Sequence, residues 1–194
     1  MAFPSKEELV STLEPLVAEF GLVVEEIKIS RAGAKSAVRI AVDSVSGEGE
    51  RPDLDGLEEV SKSISTRFDA AEEAGELNFG PGYTLEVTTP GVDFPLTEAR
   101  HWARNRGRTV VLPDNQRRRV AQVSESNVVL IAQVKKNVVV ERHQLRDVAG
   151  AVVDVEFSAP PAKEMELVGL EWSEYAEFLG AESPQHGHTT EENK

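Results

Sequence analysis

Arginine is the residue whose number and spacing in this sequence most clearly offer a chemistry, the binding of phosphate groups. A guanidinium carries paired N–H donors whose planar geometry matches phosphate oxygens. Few aromatic residues lie between the arginines to stack bases, so the pattern predicts contact with the backbone of structured RNA, or with an acidic protein patch. Ordinary surface charge on a small barrel is the alternative. The candidate cations lie on or after one short helix, at the start of one strand and in one strand connection: Arg100, Arg104, Arg106, Arg108, Arg117, Arg118, Arg119, Lys135 and Lys136.

Patterns typical of catalysis are weak by comparison. The sequence has no cysteine, which excludes thiolate metal sites and cysteine nucleophiles. Its histidines show no zinc-ligand spacing, and neither a glycine-rich phosphate loop nor a serine nucleophile elbow occurs. We therefore expect no enzymatic activity, no catalytic residue, no bound metal and no cofactor.

An acidic segment at residues 53–59 leaves one enzymatic alternative open. Asp53, Asp55, Glu58 and Glu59 could bind a hard metal ion in a metal-dependent hydrolase. The segment lacks the spacing of a calcium loop, and negative charge is also favoured at the start of a helix by the backbone dipole. We favour the second role for these carboxylates.

The charge of the chain is unevenly distributed. Residues 1–93 carry 8 Lys/Arg against 19 Asp/Glu, a net charge of −11. Residues 94–163 carry 12 against 7, a net of +5, and residues 164–194 carry 1 against 8, a net of −7. A basic middle segment between two acidic ones predicts different roles for the three segments. The basic segment is the candidate for binding RNA.

The first segment is predicted to fold as helix, two strands, helix and strand. Ser5 and Glu8 have the spacing of a capping box, although Pro15 predicts a kink in the first helix or a start near Thr12. Asp53 can cap a second helix with an apolar stripe of Leu57, Val60, Ile64 and Phe68. We expect an α+β fold with an N-terminal domain, residues 1–93, in which two helices cover one face of a small three-stranded sheet.

The basic segment, residues 94–163, changes to short valine-rich strands. Thr97 is predicted to cap a helix that extends through Arg106, and strands follow at residues 110–112, 120–123, 128–134, 138–140 and 152–157. Short strands at this spacing are typical of a small β-barrel. Residues 164–194 form an acidic extension, predicted to be partly disordered, with residues 183–194 as its disordered part.

One stretch across the boundary between these segments resembles a family signature. Residues 83–96 form a strand that ends in two small hydroxyl residues, followed by Pro-Gly, a hydrophobic residue, Asp and Pro-Leu. This pattern is similar to the signature of the RimP family, in which an arginine usually precedes Pro-Leu, where this chain has Phe94. The resemblance extends over about residues 8–157. The signature residues are Thr88, Thr89, Pro90, Gly91, Asp93, Phe94, Pro95 and Leu96.

The resemblance implies a fold and a function. Family members have an N-terminal α/β domain followed by a C-terminal SH3-like (Sm-like) barrel. They bind free small ribosomal subunits, assist early folding of the RNA and loading of proteins, and have no known catalytic residues. For the signature we predict a structural role between the domains, with Gly91 at positive φ, Asp93 accepting backbone hydrogen bonds and Phe94 filling the interdomain contact.

We therefore expect a cytoplasmic ribosome maturation factor, acting as a monomer on the free small subunit. The basic barrel is expected to face RNA, and the acidic N-terminal domain a basic ribosomal protein. No stretch is apolar enough to span a membrane, and residues 1–8 lack the pattern of a signal peptide. The rival hypothesis is a protein adaptor without RNA, in which residues 172–178 form a docking peptide. If the acidic extension folds back on the barrel, its deletion should raise affinity for RNA.

Overall fold

The structure is a computed structural model, and it describes residues 3–32, 35–47, 51–135 and 137–179. The chain divides into two compact units between Phe94 and Pro95. The first unit contains helix α1 (Lys6–Ala18), strands β1 (Leu22–Ala32) and β2 (Lys35–Ser44), helix α2 (Leu54–Glu73) and strand β3 (Tyr83–Thr88). This order of helix, two strands, helix and strand is the predicted one.

Both helices of the first unit begin where the sequence predicts. Ser5 and Glu8 form the capping box of α1, since the Ser5 hydroxyl accepts from the Glu8 N–H and the Glu8 carboxylate accepts from the Ser5 N–H. The Asp53 carboxylate accepts from the Gly56 N–H at 2.8 Å and caps α2. Helix α1 runs through Pro15. Proline has no N–H, so the Ser11 carbonyl four residues earlier has no donor within the helix, but both residues are exposed and this carbonyl can bond to water. The alternative start near Thr12 was wrong.

The sheet of the first unit has the order β1-β2-β3, with β1 antiparallel and β3 parallel to β2. Parallel pairing needs a crossover, and α2 supplies it. Ile27, Ile40 and Val87 lie opposite one another in the register, on the face where both helices pack. Val60, Ile64 and Phe68 of the predicted α2 stripe are fully buried against this face. The prediction of two helices on one face of the sheet is confirmed.

The second unit is built on five strands. They are β4 (Thr109–Val111), β5 (Arg117–Val123), β6 (Asn127–Val134), β7 (Asn137–Gln144) and β8 (Val152–Val153). They form one antiparallel sheet in the order β7-β6-β5-β4-β8. Helix α3 (Ala99–Arg104) precedes the strands, a short 3-10 helix (Leu145–Asp147) follows β7, and helices α4 (Ala162–Met165) and α5 (Trp172–Leu179) follow β8.

The central strands of this sheet are covered on both faces. Val128 and Leu130 of β6 pack with Trp102 of α3, while Val129 and Ile131 point to the opposite face and pack with Tyr175 of α5. Successive strand residues alternate between faces, so an unbroken apolar run such as residues 128–132 is the pattern of a strand buried on both sides. The C-terminal segment, residues 162–179, is thus a layer of the second unit.

Several predicted boundaries in this unit were wrong. Strand β5 begins at Arg117 instead of residue 120, and β7 ends at Gln144 instead of residue 140. Helix α3 is capped by Glu98 instead of Thr97, and it ends at Arg104. The His101 ring explains the shift, since its Nδ1 accepts from the N–H groups of both Thr97 and Glu98, at 3.1 Å each. The last strand has two residues instead of the predicted six, because the chain leaves the sheet after the Asp154 N–H bonds to the Thr109 carbonyl at 2.9 Å.

Candidate nucleic-acid interface

The turn after α3 and the start of β5 bring two groups of the predicted cations together. The Gly107 N–H donates to the Val120 carbonyl at 2.8 Å, and the Val120 N–H donates to the Arg108 carbonyl at 3.0 Å. In β5, Arg117 lies opposite Val111 in the register with β4. Val111 is three residues after Arg108, so at about 3.4 Å per residue Arg108 and Arg117 are separated by about 10 Å along the strand direction.

Arg119 lies in the interior of the second unit. Its side chain is 2% exposed, and its guanidinium donates to Glu156 at 2.6 and 2.8 Å, to Glu164 at 2.8 Å and to the Gly107 carbonyl at 2.7 Å. The bonds to Glu156 raise the pKa of Arg119 and lower that of Glu156. A guanidinium with its donors engaged this way cannot reach a phosphate outside the unit. The structure therefore removes Arg119 from the candidate interface.

Its neighbours in β5 point in different directions, as alternation in a strand predicts. Arg117 is 71% exposed and forms one ion pair, at 3.0 Å, with Asp154. Arg118 reaches across the sheet to Glu141 of β7 at 2.7 Å and is 16% exposed. Although burial opposes it, the bond from Arg118 lowers the pKa of Glu141. Of the three consecutive arginines, Arg117 alone presents most of its side chain to solvent.

The remaining candidates differ in exposure. Arg100 and Arg104 of α3 are half-buried, whereas Arg106, Arg108 and Lys135 are exposed. Lys135 lies in the turn between β6 and β7, at the end of the sheet where β5 begins with Arg117. Lys136 lies outside the described residues. The exposed part of the predicted set within the described chain therefore comprises Arg106, Arg108, Arg117 and Lys135.

The C-terminal segment, residues 162–179, is fastened to the sheet by polar bonds as well as apolar contacts. The Gly169 N–H donates to the Ala121 carbonyl at 2.9 Å, and the Gln122 amide donates to the Leu170 carbonyl at 2.9 Å. Tyr175 is fully buried, and its hydroxyl donates to the Leu167 carbonyl and accepts from the Leu170 N–H. Burial is the main reason that its pKa is raised.

This arrangement changes two expectations. Residues 172–178 are not a detached docking peptide, because Tyr175 is buried and Trp172 packs beside it with its ring under the Arg142 guanidinium at 5.7 Å. The extension does fold back on the basic unit, yet its removal would uncover Ala121, Val129 and Ile131 and take Glu164 from Arg119. We now expect its deletion to destabilise the unit rather than raise RNA affinity. Residues 180–194, including the predicted disordered end, lie outside the described part of the chain.

The signature stretch has a different geometry from the predicted one. Gly91 does not adopt a positive φ, and a Cβ at that position would lie 2.5 Å from the Asp93 Oδ1 atom. The Asp93 carboxylate accepts no hydrogen bond within the described residues, contrary to expectation. The Arg51 guanidinium instead donates to the Pro90 carbonyl at 3.2 Å, and the Phe94 N–H to the Gly91 carbonyl at 3.1 Å. The interdomain role stays a prediction.

The acidic start of α2 has the geometry of a cap. Asp53 engages the helix N-terminus through Gly56, and Glu58 pairs with Lys62 one turn later, which lowers the pKa of Glu58. Within residues 3–179, as far as they are described, no three histidine or carboxylate side chains are grouped to hold a metal ion. No helix in this part of the chain has the length and apolar composition needed to cross a bilayer.

Comparison with known proteins places this chain in a family. Residues 12–93 match the model of the RimP N-terminal domain. The protein named ribosome maturation factor RimP of Corynebacterium aurimucosum is 48% identical over an alignment of 174 residues that covers 86% of this chain and 90% of the relative. The chain belongs to the RimP family. The proteins of that name from Corynebacterium urealyticum and Corynebacterium diphtheriae are 44% and 45% identical, over 92% and 90% of this chain and 97% and 95% of their own lengths.

Membership of the RimP family confirms the resemblance that the signature indicated, and the second unit is covered as well as the first. The sequence did not predict two carboxylate partners of Arg119 in the second unit. Glu156 and Glu164 are the partners of Arg119, but they lie 37 and 45 residues away along the chain. The apolar residues Val120 and Ala121, which directly follow Arg119, were the one available signal of its burial.

Proposed function

We propose that this chain is a ribosome maturation factor that binds the free, immature small ribosomal subunit and assists RNA folding and protein loading. The observation that carries the proposal is its identity of 44–48%, over most of both chains, to proteins named ribosome maturation factor RimP. The role requires no catalytic residue and places the chain in the cytoplasm, as a monomer.

In this proposal the second unit contacts ribosomal RNA through its exposed cations. Phosphate contacts would be made by Arg106, Arg108, Arg117 and Lys135, whose side chains are exposed. Arg118 and Arg119 support the strands instead, through ion pairs with Glu141 and with Glu156 and Glu164. The acidic first unit would attract a basic ribosomal protein through long-range electrostatics.

We also propose that the five strands of the second unit close as an SH3-like (Sm-like) barrel. Four of them, β4 to β7, form a meander in chain order, and β8 returns beside β4. Closure would bring the two edge strands, β7 and β8, together and would leave no exposed sheet edge for unwanted pairing.

Sedimentation on sucrose gradients tests the function. The purified chain should migrate with free small subunits and be absent from large subunits and intact ribosomes. A variant with Arg108→Gln and Arg117→Gln should bind more weakly, and its affinity should depend less on salt, by a slope of about one per lost phosphate contact. Arg146→Gln is the matched control for Arg117→Gln alone, since both arginines are exposed, at 79% and 71%, in the same unit and each has one carboxylate partner.

The outcomes separate the two parts of the proposal. Wild-type protein absent from every ribosomal fraction at low and moderate salt would contradict the maturation role and favour a protein adaptor. Subunit binding that is unchanged in the double variant would contradict RNA contact by these arginines while leaving the maturation role in place. An equal loss in Arg146→Gln would point to general charge rather than a defined surface.

A further inference from the structure

Phe157 is the most exposed large apolar side chain in the described part of the protein, at 98%. It lies in the connection between β8 and α4, followed by Ser158, Ala159 and two prolines. Burial of a phenylalanine side chain stabilises a fold by about 1.5–3 kcal/mol, and a phenylalanine that is wholly exposed to water makes no such contribution. A single exposed apolar residue is ordinary by itself. The surroundings of Phe157 are what distinguish it.

The connection that carries Phe157 is fastened at both ends to the same buried side chain. Glu156, immediately before it, accepts two bonds from Arg119, at 2.6 and 2.8 Å, and also bonds to Thr109. Glu164, seven residues after Phe157, accepts a third bond from Arg119 at 2.8 Å. Pro160 and Pro161 restrict the backbone between these points. The exposure of Phe157 is therefore set by the fold, since the segment cannot turn inward without releasing Arg119.

The charges around this connection are arranged by sign. Each carboxylate here is paired with an arginine: Asp154 with Arg117, and Glu156 and Glu164 with Arg119; their side chains are 27%, 30% and 10% exposed. The cations face outward: Arg117 is 71% exposed, and Arg108 and Lys163 are exposed as well. Arg108 and Arg117 lie near the start of this connection, because Glu156 bonds to Thr109 and Asp154 pairs with Arg117, and Lys163 follows its end. A partner that binds Phe157 would therefore also be within reach of positive charge. That combination is the one used to bind single-stranded nucleic acid, in which cations contact phosphates and aromatic rings stack on bases.

We propose that Phe157 is a stacking site for one unpaired RNA base, with Arg108, Arg117 and Lys163 contacting the neighbouring phosphates. This inference rests on the proposed RNA binding of the second unit and adds a preference for unpaired nucleotides over duplex. Stacking is insensitive to base identity, since every base offers a π-face, so the site selects unpaired RNA without reading its sequence.

The test uses the full chain and two RNA probes, a hairpin with a 2-aminopurine in its loop and a plain duplex of the same length. Stacking on Phe157 should quench the 2-aminopurine fluorescence when protein binds. Phe157→Ala should weaken hairpin binding by roughly 5- to 100-fold, the range for one stacked base, and leave duplex binding unchanged. Phe157→Trp should retain both affinity and quenching. Because Phe157 has almost no packing contacts, these variants should fold normally.

Two further variants distinguish stacking from other contacts. Phe157→Leu keeps an apolar side chain without a flat ring, and should lose affinity and quenching as the alanine variant does. Phe178→Ala is the matched control, since Phe178 is 42% exposed in the same unit but lies beside Glu174 and Glu177 on α5. It should bind the hairpin as wild type does.

Several results would overturn the inference. If Phe157→Ala binds the hairpin with wild-type affinity, the stacking site is contradicted. The maturation role would still stand, provided that the wild-type protein migrates with the small subunit. Full hairpin binding by Phe157→Leu would also overturn the inference, since an apolar side chain without a flat ring would then be sufficient. A wild-type chain that binds neither probe, yet migrates with the subunit, would also overturn the stacking site and would favour protein contacts alone.

Discussion

Replacement of Arg119 by methionine removes the cation that holds β5 to the C-terminal segment. Arg119 forms four hydrogen bonds in the interior, and the carboxylate of Glu164 is 10% exposed. Once Arg119 is gone, Glu156 can hydrate, but Glu164 is left as a buried charge with the Gln133 N–H as a donor at 3.1 Å. Loss of one partner of a buried ion pair costs about 3–5 kcal/mol. The total stability of a domain is about 5–15 kcal/mol, so the loss should be a large fraction of it.

Urea unfolding followed by tryptophan fluorescence measures this effect in the second unit. The chain has two tryptophans, Trp102 and Trp172, and both lie in that unit. Arg117→Met is the control, because the exposed ion pair of Arg117 should contribute at most about 1 kcal/mol. Adding Glu164→Gln to Arg119→Met should recover part of the loss, since it removes the buried charge.

The reasoning would be refuted by a small loss. The free energy of unfolding of Arg119→Met could lie within about 1 kcal/mol of the wild-type value, or be no lower than that of Arg117→Met. Either result would show that Arg119 does not hold the C-terminal segment to β5. The same pair of variants separates stability from binding. Arg117→Met should weaken binding to the small subunit at nearly unchanged stability, whereas Arg119→Met should affect binding only through unfolding.

Three further predictions concern Glu156, Tyr175 and Gly91. Arg119 lowers the pKa of Glu156 below its ordinary value of 4.5, so their pair stabilises the second unit above that pH and is lost as the pH falls through the lowered pKa. Acid titration of the fluorescence should show this loss, and Glu156→Gln should remove it. Tyr175→Phe should cost about 0.5–1.5 kcal/mol, because two partly buried backbone groups, the Leu167 carbonyl and the Leu170 N–H, lose their hydroxyl partner, and urea unfolding measures it. Gly91→Ala should change stability by under about 0.5 kcal/mol, since the Asp93 carboxylate can rotate away; a larger loss on thermal unfolding would show that this side chain is fixed.

Local patterns determined much of the first unit. The capping box at Ser5 and Glu8, the cap at Asp53 and the apolar stripe of α2 depend on residues within one or two turns of each other, so they can be found in a sequence. The boundary of α3 was missed although the residues that decide it are also close in the sequence, because threonine is a common N-cap residue and a histidine ring is not. The sequence indicated Thr97 as the cap, but the His101 ring, four residues further on, accepts from the first two N–H groups and moves the start to Glu98.

The sequence by itself determined the family, the order of the elements and the location of the basic segment. Only the tertiary structure decided which of its cations are available. Arg117, Arg118 and Arg119 are chemically identical neighbours, yet their side chains are 71%, 16% and 2% exposed. The difference arises from carboxylates that lie 23 to 45 residues away along the chain and meet them only when the sheet and the C-terminal segment pack. No local pattern encodes such a pairing, because it depends on strand register and on which face each strand residue presents.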